Sequence, residues 1–196
     1  MFTSGVESLP SLYLQSRLSK MRFIKNHLAG VYLIEPELVS DERGFFARTW
    51  CRNEFEDRGL NPNLLQCNIS YNKVCGTLRG MHYQKEPHAE AKLVRCTRGA
   101  VYDVIVDLRS DSSTFTKWYG VELTAINRKA LYVPEGFAHG FITLKDDAEV
   151  LYQMSECYHA ECASGVRWND PMFSIQWPIK VEVISERDQN NQDFKP

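Results

Sequence analysis

A chain of 196 residues is the length of one ordinary domain, and 43% hydrophobic with 12% aromatic residues is enough to build a sizeable core. Charged residues make up 24% and the formal net charge is -2, so no overall basic field draws the protein onto nucleic acid or membrane, and any anion site is local. No run approaches the roughly 18 uninterrupted apolar residues of a membrane span, and the start of the chain lacks the order of a secretion signal, so a cytoplasmic protein is expected.

In chain order, residues 1-21 mix Ser, Leu and Tyr without a sustained period and read as a flexible or partner-dependent N-terminal extension. A globular pattern begins with Phe23-Ile24 and Gly30 to Ile34, and a short helix is expected around Arg52 to Arg58. Further β-type runs cover Lys92 to Cys96, Ala100 to Leu108, Tyr119 to Leu123, Ala130 to Val133, His139 to Leu144 and Glu149 to Met154. In the second of these, Val101, Asp103, Ile105 and Asp107 share a mixed face, while Tyr102, Val104, Val106 and Leu108 share an apolar one. Turn signals such as Thr97-Arg98-Gly99, Pro134-Glu135-Gly136 and Asn169-Asp170-Pro171 recur between runs, which suits an antiparallel sandwich or barrel better than an alternating βα protein. The expected organisation is an all-β domain with minor helix over residues 22-190, then a polar tail, 191-196, that frays at its end. Six cysteines without a CxxC pair argue against a zinc knuckle and a disulfide framework, and are expected to be reduced, mostly buried thiols.

Three polar clusters carry candidate chemistry. In Gly76-Thr77-Leu78-Arg79-Gly80-Met81-His82-Tyr83-Gln84, extended backbone would put Arg79, Met81 and Tyr83 on one side and Leu78, Gly80, His82 and Gln84 on the other. His82 in a barrel lumen suits proton transfer near neutral pH, and Lys92 close by suits an enolate oxygen; the bland reading is a hydrogen-bonded core histidine. In Tyr132 to Phe141, Pro and Gly shape a turn that delivers His139 to the next strand. Tyr152 in Glu149-Val150-Leu151-Tyr152-Gln153 is either an acid or a packed aromatic. Metal-binding cupin barrels use an HxH pair with a nearby Glu, whereas this chain has His82-Tyr83-Gln84, so a metal-dependent cupin oxygenase is a secondary reading.

Taken together, Asp41-Glu42-Arg43-Gly44-Phe45-Phe46, the Gly76 to Gln84 segment, Ala91-Lys92-Leu93-Val94-Arg95 and Val133 to Phe141 resemble the dTDP-4-dehydrorhamnose 3,5-epimerase family, and Arg167-Trp168-Asn169-Asp170-Pro171 and Trp177-Pro178 extend the likeness. The resemblance implies a cupin-type jelly-roll barrel, usually a homodimer, that uses no metal or cofactor. It implies inversion of C3 and/or C5 beside the C4 ketone of a nucleotide-linked 4-keto-6-deoxyhexose, a step of deoxysugar and O-antigen biosynthesis. By motif match His82 is the general base, Asp188 the carboxylate that orients it, Tyr152 the acid on the opposite face and Lys92 the enolate's cation. Arg43 and Arg79 match the diphosphate site, Gln66, Asn68 and His139 line the nucleotide and sugar site, and Tyr158 stacks on the nucleobase. One departure stands out: family members carry a glutamate two residues after the Arg-Gly-Phe-Phe motif, where this chain has Ala47-Arg48. A donor in place of an acceptor suits cytosine better than thymine if Arg48 points inward, which makes a CDP-linked sugar the alternative substrate. The loop Ser70 to Cys75 is one residue longer than usual, which would restrict inversion to C3 or C5 alone. A catalytically silent sugar-nucleotide-binding module is the third reading, and the intact His82, Lys92 and Tyr152 argue against it.

Overall fold

The structure, a computed structural model, describes residues 20–196, so nearly all of the expected N-terminal extension lies outside it. Two sheets face each other. The first runs in the order β1 (Met21–Lys25), β2 (Tyr32–Pro36), β10 (Ala130–Val133), β7 (Lys92–Arg98), β12 (Ala148–Met154) and β5 (Gln66–Asn72). The second runs β13 (Ala163–Gly165), β6 (Thr77–Gln84), β11 (Phe137–Thr143), β8 (Ala100–Asp107) and β9 (Trp118–Thr124). A short strand β14 (Val183–Ile184) lies parallel to β6, and β3 (Val39–Asp41) and β4 (Gly44–Phe46) form a separate hairpin. Helix is confined, among the described residues, to α1 (Arg52–Glu56) and α2 (Glu186–Gln189). The architecture is the cupin-type jelly roll, with its antiparallel strands wrapped around one lumen.

Strand alternation explains the layers. From β8, Val101 and Ile105 enter the core between the sheets, where they meet Val94, Cys96, Leu131, Phe137 and Val150. Its apolar face, with Val104 and Val106, packs outward beneath Val166, Phe173, Ile175 and Trp177 from the C-terminal segment. The mixed face is therefore the interior one, because each carboxylate has partners. Asp107, fully buried, accepts from Arg109 at 2.7 Å, Ser112 at 2.6 Å and Thr114 at 2.7 Å, and Asp103 meets His139 in the lumen. Burial pushes the Asp107 carboxyl up, but these three bonds outweigh it and hold it below its ordinary value.

Outside the first sheet, Phe55 of α1 packs with Met21, Ile34, Leu93 and Tyr132. The helix ends before the expected Arg58, and the chain turns at Gly59 with φ +66. Met21, 3% exposed, already belongs to the core and opens β1, so the packed domain starts just ahead of the expected residue 22. The tail expected to fray makes specific contacts up to Phe194. Phe194 packs at 5.7 Å from the Phe173 ring and donates its N–H to Asp170 at 2.6 Å, while Arg167 holds Asp193 at 2.6 Å. An aromatic and a salt-bridged carboxylate tie down what composition alone marks as polar. All six cysteines are unbridged, but only Cys96 and Cys162 are buried; Cys67 is exposed because it alternates outward on β5, beside inward Gln66 and Asn68.

Candidate active site

One end of the lumen opens as a cavity of about 340 Å³ lined from both sheets. The second sheet contributes Arg79, His82 and His139; the first contributes Gln66, Asn68, Lys92 and Tyr152; α2 closes one side with Arg187 and Asp188. His82 and Tyr152 thus stand on opposing walls.

The expected alternation along β6 breaks just before His82. Arg79 and Met81 were expected to share one side, away from His82; instead Arg79 and His82 both line the cavity, and Met81 is buried outside among Val104 and Phe173. The pairing of β6 with β11 shifts register between His139 and Phe141, and Gly80 sits there with φ +131. A Cβ at Gly80 would lie 2.5 Å from the Cα of Gly140 and 2.9 Å from the carbonyl oxygen of His139, so only glycine permits the approach. Beyond the shift, His139 is the register partner of His82, which brings both imidazoles to the same cavity.

Each imidazole is held by a buried carboxylate. His82 Nε2 lies 2.6 Å from Asp188 Oδ1, with the imidazole 41% exposed to the cavity and the carboxylate only 6%. Asp188 reaches this position because β14 runs beside β6 and Ser185 caps α2, its hydroxyl accepting the Asp188 N–H at 3.1 Å. Burial pushes the Asp188 carboxyl up, but hydrogen bonds from His82, the Gly80 N–H and Ser185 outweigh this and hold it below its ordinary value. His139 Nε2 meets the fully buried Asp103 at 2.8 Å.

On the facing wall, Lys92 is almost fully buried. Its ammonium lies 2.7 Å from Glu90 Oε1 and 3.4 Å from the carbonyl oxygen of His82. The other Glu90 oxygen, Oε2, is buried without a partner at the cavity. Burial raises the Tyr152 phenol above its ordinary value of 10.0, and the Glu90 charge adds to this while Arg79 opposes it. At the rim, Arg79 Nε donates to Asn72 at 2.7 Å, and Gln66 accepts the Tyr158 N–H at 3.0 Å, leaving the Tyr158 ring exposed. A hydrogen-bonded imidazole on one wall, a protonated phenol on the other and a buried ammonium nearby suit the removal of a proton and its return from the opposite side.

The sequence model of the dTDP-4-dehydrorhamnose 3,5-epimerase family matches residues 25–196. The chain belongs to that family. It is 45% identical to the dTDP-4-dehydrorhamnose 3,5-epimerase of Methanothermobacter thermautotrophicus over 88% of this chain and 94% of that one. Its fold is similar to the crystal structure of the Elizabethkingia anophelis enzyme, with TM-score 0.86, 45% identity and coverage of 89% of this chain and 96% of that one. The Bacillus anthracis enzyme, solved with TDP and PPi bound, also superposes with TM-score 0.86, at 42% identity, covering 89% of this chain and all of that one.

Of the residues that resemblance to this epimerase family singled out, His82, Tyr152, Lys92, Asp188, Gln66, Asn68, Arg79, His139 and Tyr158 all line the cavity. Arg43 and Arg48 do not. Arg43 lies in the β3–β4 turn, ion-paired with Asp41 on the surface. Arg48 pairs with Glu54 of α1 at 2.9 Å. Two charged cavity residues went unforeseen, Glu90 and Arg187, as did the pairing of Asp103 with His139. Glu90 was detectable as a carboxylate two positions before Lys92, just ahead of β7, and Arg187 as the neighbour of Asp188.

Proposed function

We propose that the protein is a cofactor-independent epimerase that inverts C3 and C5, or one of them, in a dTDP-linked 4-keto-6-deoxyhexose. The observation that carries this reading is the placement of His82 and Tyr152 on opposing sheets around one cavity, with Asp188 bonded to the imidazole at 2.6 Å. A proton beside a ketone is too weakly acidic for an isolated imidazole, so the enolate must be stabilised as it forms. Lys92, held by Glu90, supplies the positive charge for that oxygen. With Nε2 committed to Asp188, Nδ1 of His82 is left to take the proton, and Tyr152 returns one from the other side of the ring. His139, oriented by Asp103, and the free Glu90 oxygen suit sugar hydroxyls. Arg79 and Arg187 at the mouth offer guanidinium groups to the diphosphate, with Gln66, Asn68 and Tyr158 for the nucleoside.

The dTDP reading is favoured over the CDP one because Arg48, whose donor chemistry suggested cytosine, is engaged by Glu54. In the cavity His82 and His139 are each committed through Nε2 to a carboxylate, an arrangement suited to proton transfer, so the oxygenase reading draws no support from their geometry. The jelly-roll domain acts as a homodimer in this proposal. The edge strand β5 supports that, since it shows Ile69, 64% exposed, and Tyr71 to solvent next to exposed Leu65.

Incubation with dTDP-4-keto-6-deoxyglucose in deuterated water tests the proposal: deuterium should enter at C3, C5 or both, followed by nuclear magnetic resonance. Absence of uptake with both dTDP- and CDP-linked 4-keto sugars would remove the epimerase reading, and uptake with the CDP sugar alone would reverse the choice of base.

A further inference from the structure

Outside the cavity, the described residues contain one cluster of metal-ligating side chains that the proposed reaction leaves unused. Ligand atoms of His88, Glu156 and His159 all lie within 4.8 Å of one another. His88 comes from the turn between β6 and β7, and the other two from the segment between β12 and β13. The backbone of this cluster is built around one buried side chain. Gln84 donates its amide to the carbonyls of His88 and Cys157, each at 3.0 Å, and accepts the His159 N–H at 2.6 Å. The two imidazole rings stack with centroids 3.5 Å apart and 7° between their planes. Each ring also faces a carboxylate: His88 Nδ1 lies 3.9 Å from Glu156, and His159 Nδ1 lies 3.3 Å from Glu161.

Two half-buried imidazoles converging with a carboxylate are the donor set of zinc and its neighbours, whereas magnesium and calcium favour oxygen ligands alone. Donor atoms around a tetrahedral zinc ion sit roughly 3.3–3.5 Å apart, so this cluster needs to contract by about an ångström. Side-chain rotation supplies that movement, turning the rings out of their stack, while Gln84 already fixes the main chain. The geometry points to a divalent transition-metal site, best matched to zinc, formed by His88, Glu156 and His159 with Glu161 in reach as a fourth ligand. An ion held there ties the β6–β7 turn to the β12–β13 segment, and so fixes the backbone that carries Tyr158 at the cavity rim.

The full chain, stripped with a chelator and titrated with Zn²⁺ by calorimetry, tests the site, with thermal unfolding followed in parallel. One zinc should bind per chain and raise the unfolding temperature, because an ion that binds only the folded state stabilises it. His88→Ala and His159→Ala should each weaken binding by more than the roughly 10–100-fold that even an outer-shell partner is worth. Glu156→Gln, which keeps the side-chain shape, should weaken it in the same direction, and Cys157→Ser should leave it unchanged, since the thiol is not among the ligands. Absence of saturable uptake by the wild-type chain, or uptake unaltered in both histidine variants, would overturn the proposal.

Discussion

Asp188 is the residue on which the His82 geometry turns, and its charge should register in stability as well as in activity. Its folded carboxyl titrates below the ordinary 3.8, so its stabilising contribution is complete above that value and is lost as the pH falls through the lower, folded one. Thermal unfolding of wild type and Asp188→Asn should therefore differ near neutrality and converge as the pH drops below about 4; a constant difference down to acid would contradict the assignment. Tyr152 shifts the other way. Held above 10.0, the phenol keeps its proton through the neutral range, so the pH profile of inversion should show no tyrosine limb below about pH 10. A limb near neutrality that vanishes in Tyr152→Phe would show a phenolate, not an acid. At this scale the sequence motifs were informative for residues that touch the cavity through regular strands, such as Lys92 and Tyr152. The motif match also placed Arg79 correctly at the cavity, whereas strand alternation did not, because nothing in the text of β6 marks the register shift that turns it to the side of His82. For Arg48 the donor chemistry was legible, while its partner Glu54, six positions on in α1, was not.

Among the elements, β6 does most to assemble the site, and Gly80 is its weak point. Gly80→Ala should cost about 2–4 kcal/mol, from an unfavourable backbone conformation and from forcing β11 away at Gly140, measured by denaturant unfolding. It should also slow turnover by displacing His82 from Asp188; unchanged stability would mean that the close approach of β6 and β11 relaxes freely. Strands with a buried apolar stripe, β7, β8, β10 and β12, were readable within a residue or two. The strand β5 was not, because its inward residues Gln66, Asn68 and Ser70 line a polar cavity and its outward ones, Cys67, Ile69 and Tyr71, are the more apolar, so the usual contrast is inverted. The two-residue β14 has no periodicity to read, yet it is what delivers Asp188.

At the scale of the whole molecule, the order of strands across each sheet was beyond the sequence pattern, since β2 pairs β10 and β5 pairs β12 over long separations. Fold class survived this because turn spacing alone selects antiparallel β architecture. Assembly belongs at this scale too: sedimentation should find a dimer, and Ile69→Lys on the exposed edge of β5 should shift it toward monomer, whereas a monomeric wild type would remove the dimer from the account. The claim that joins all three scales is that the two sheets present a base and an acid to opposite faces of one sugar ring. Proton exchange and stereochemical inversion followed together in deuterated water, in His82→Asn and Tyr152→Phe, test it most directly. His82→Asn should lose both by about 10²–10⁴-fold or more, while Tyr152→Phe should still exchange but no longer invert. Exchange surviving in His82→Asn, or full inversion in Tyr152→Phe, would contradict the two-wall account.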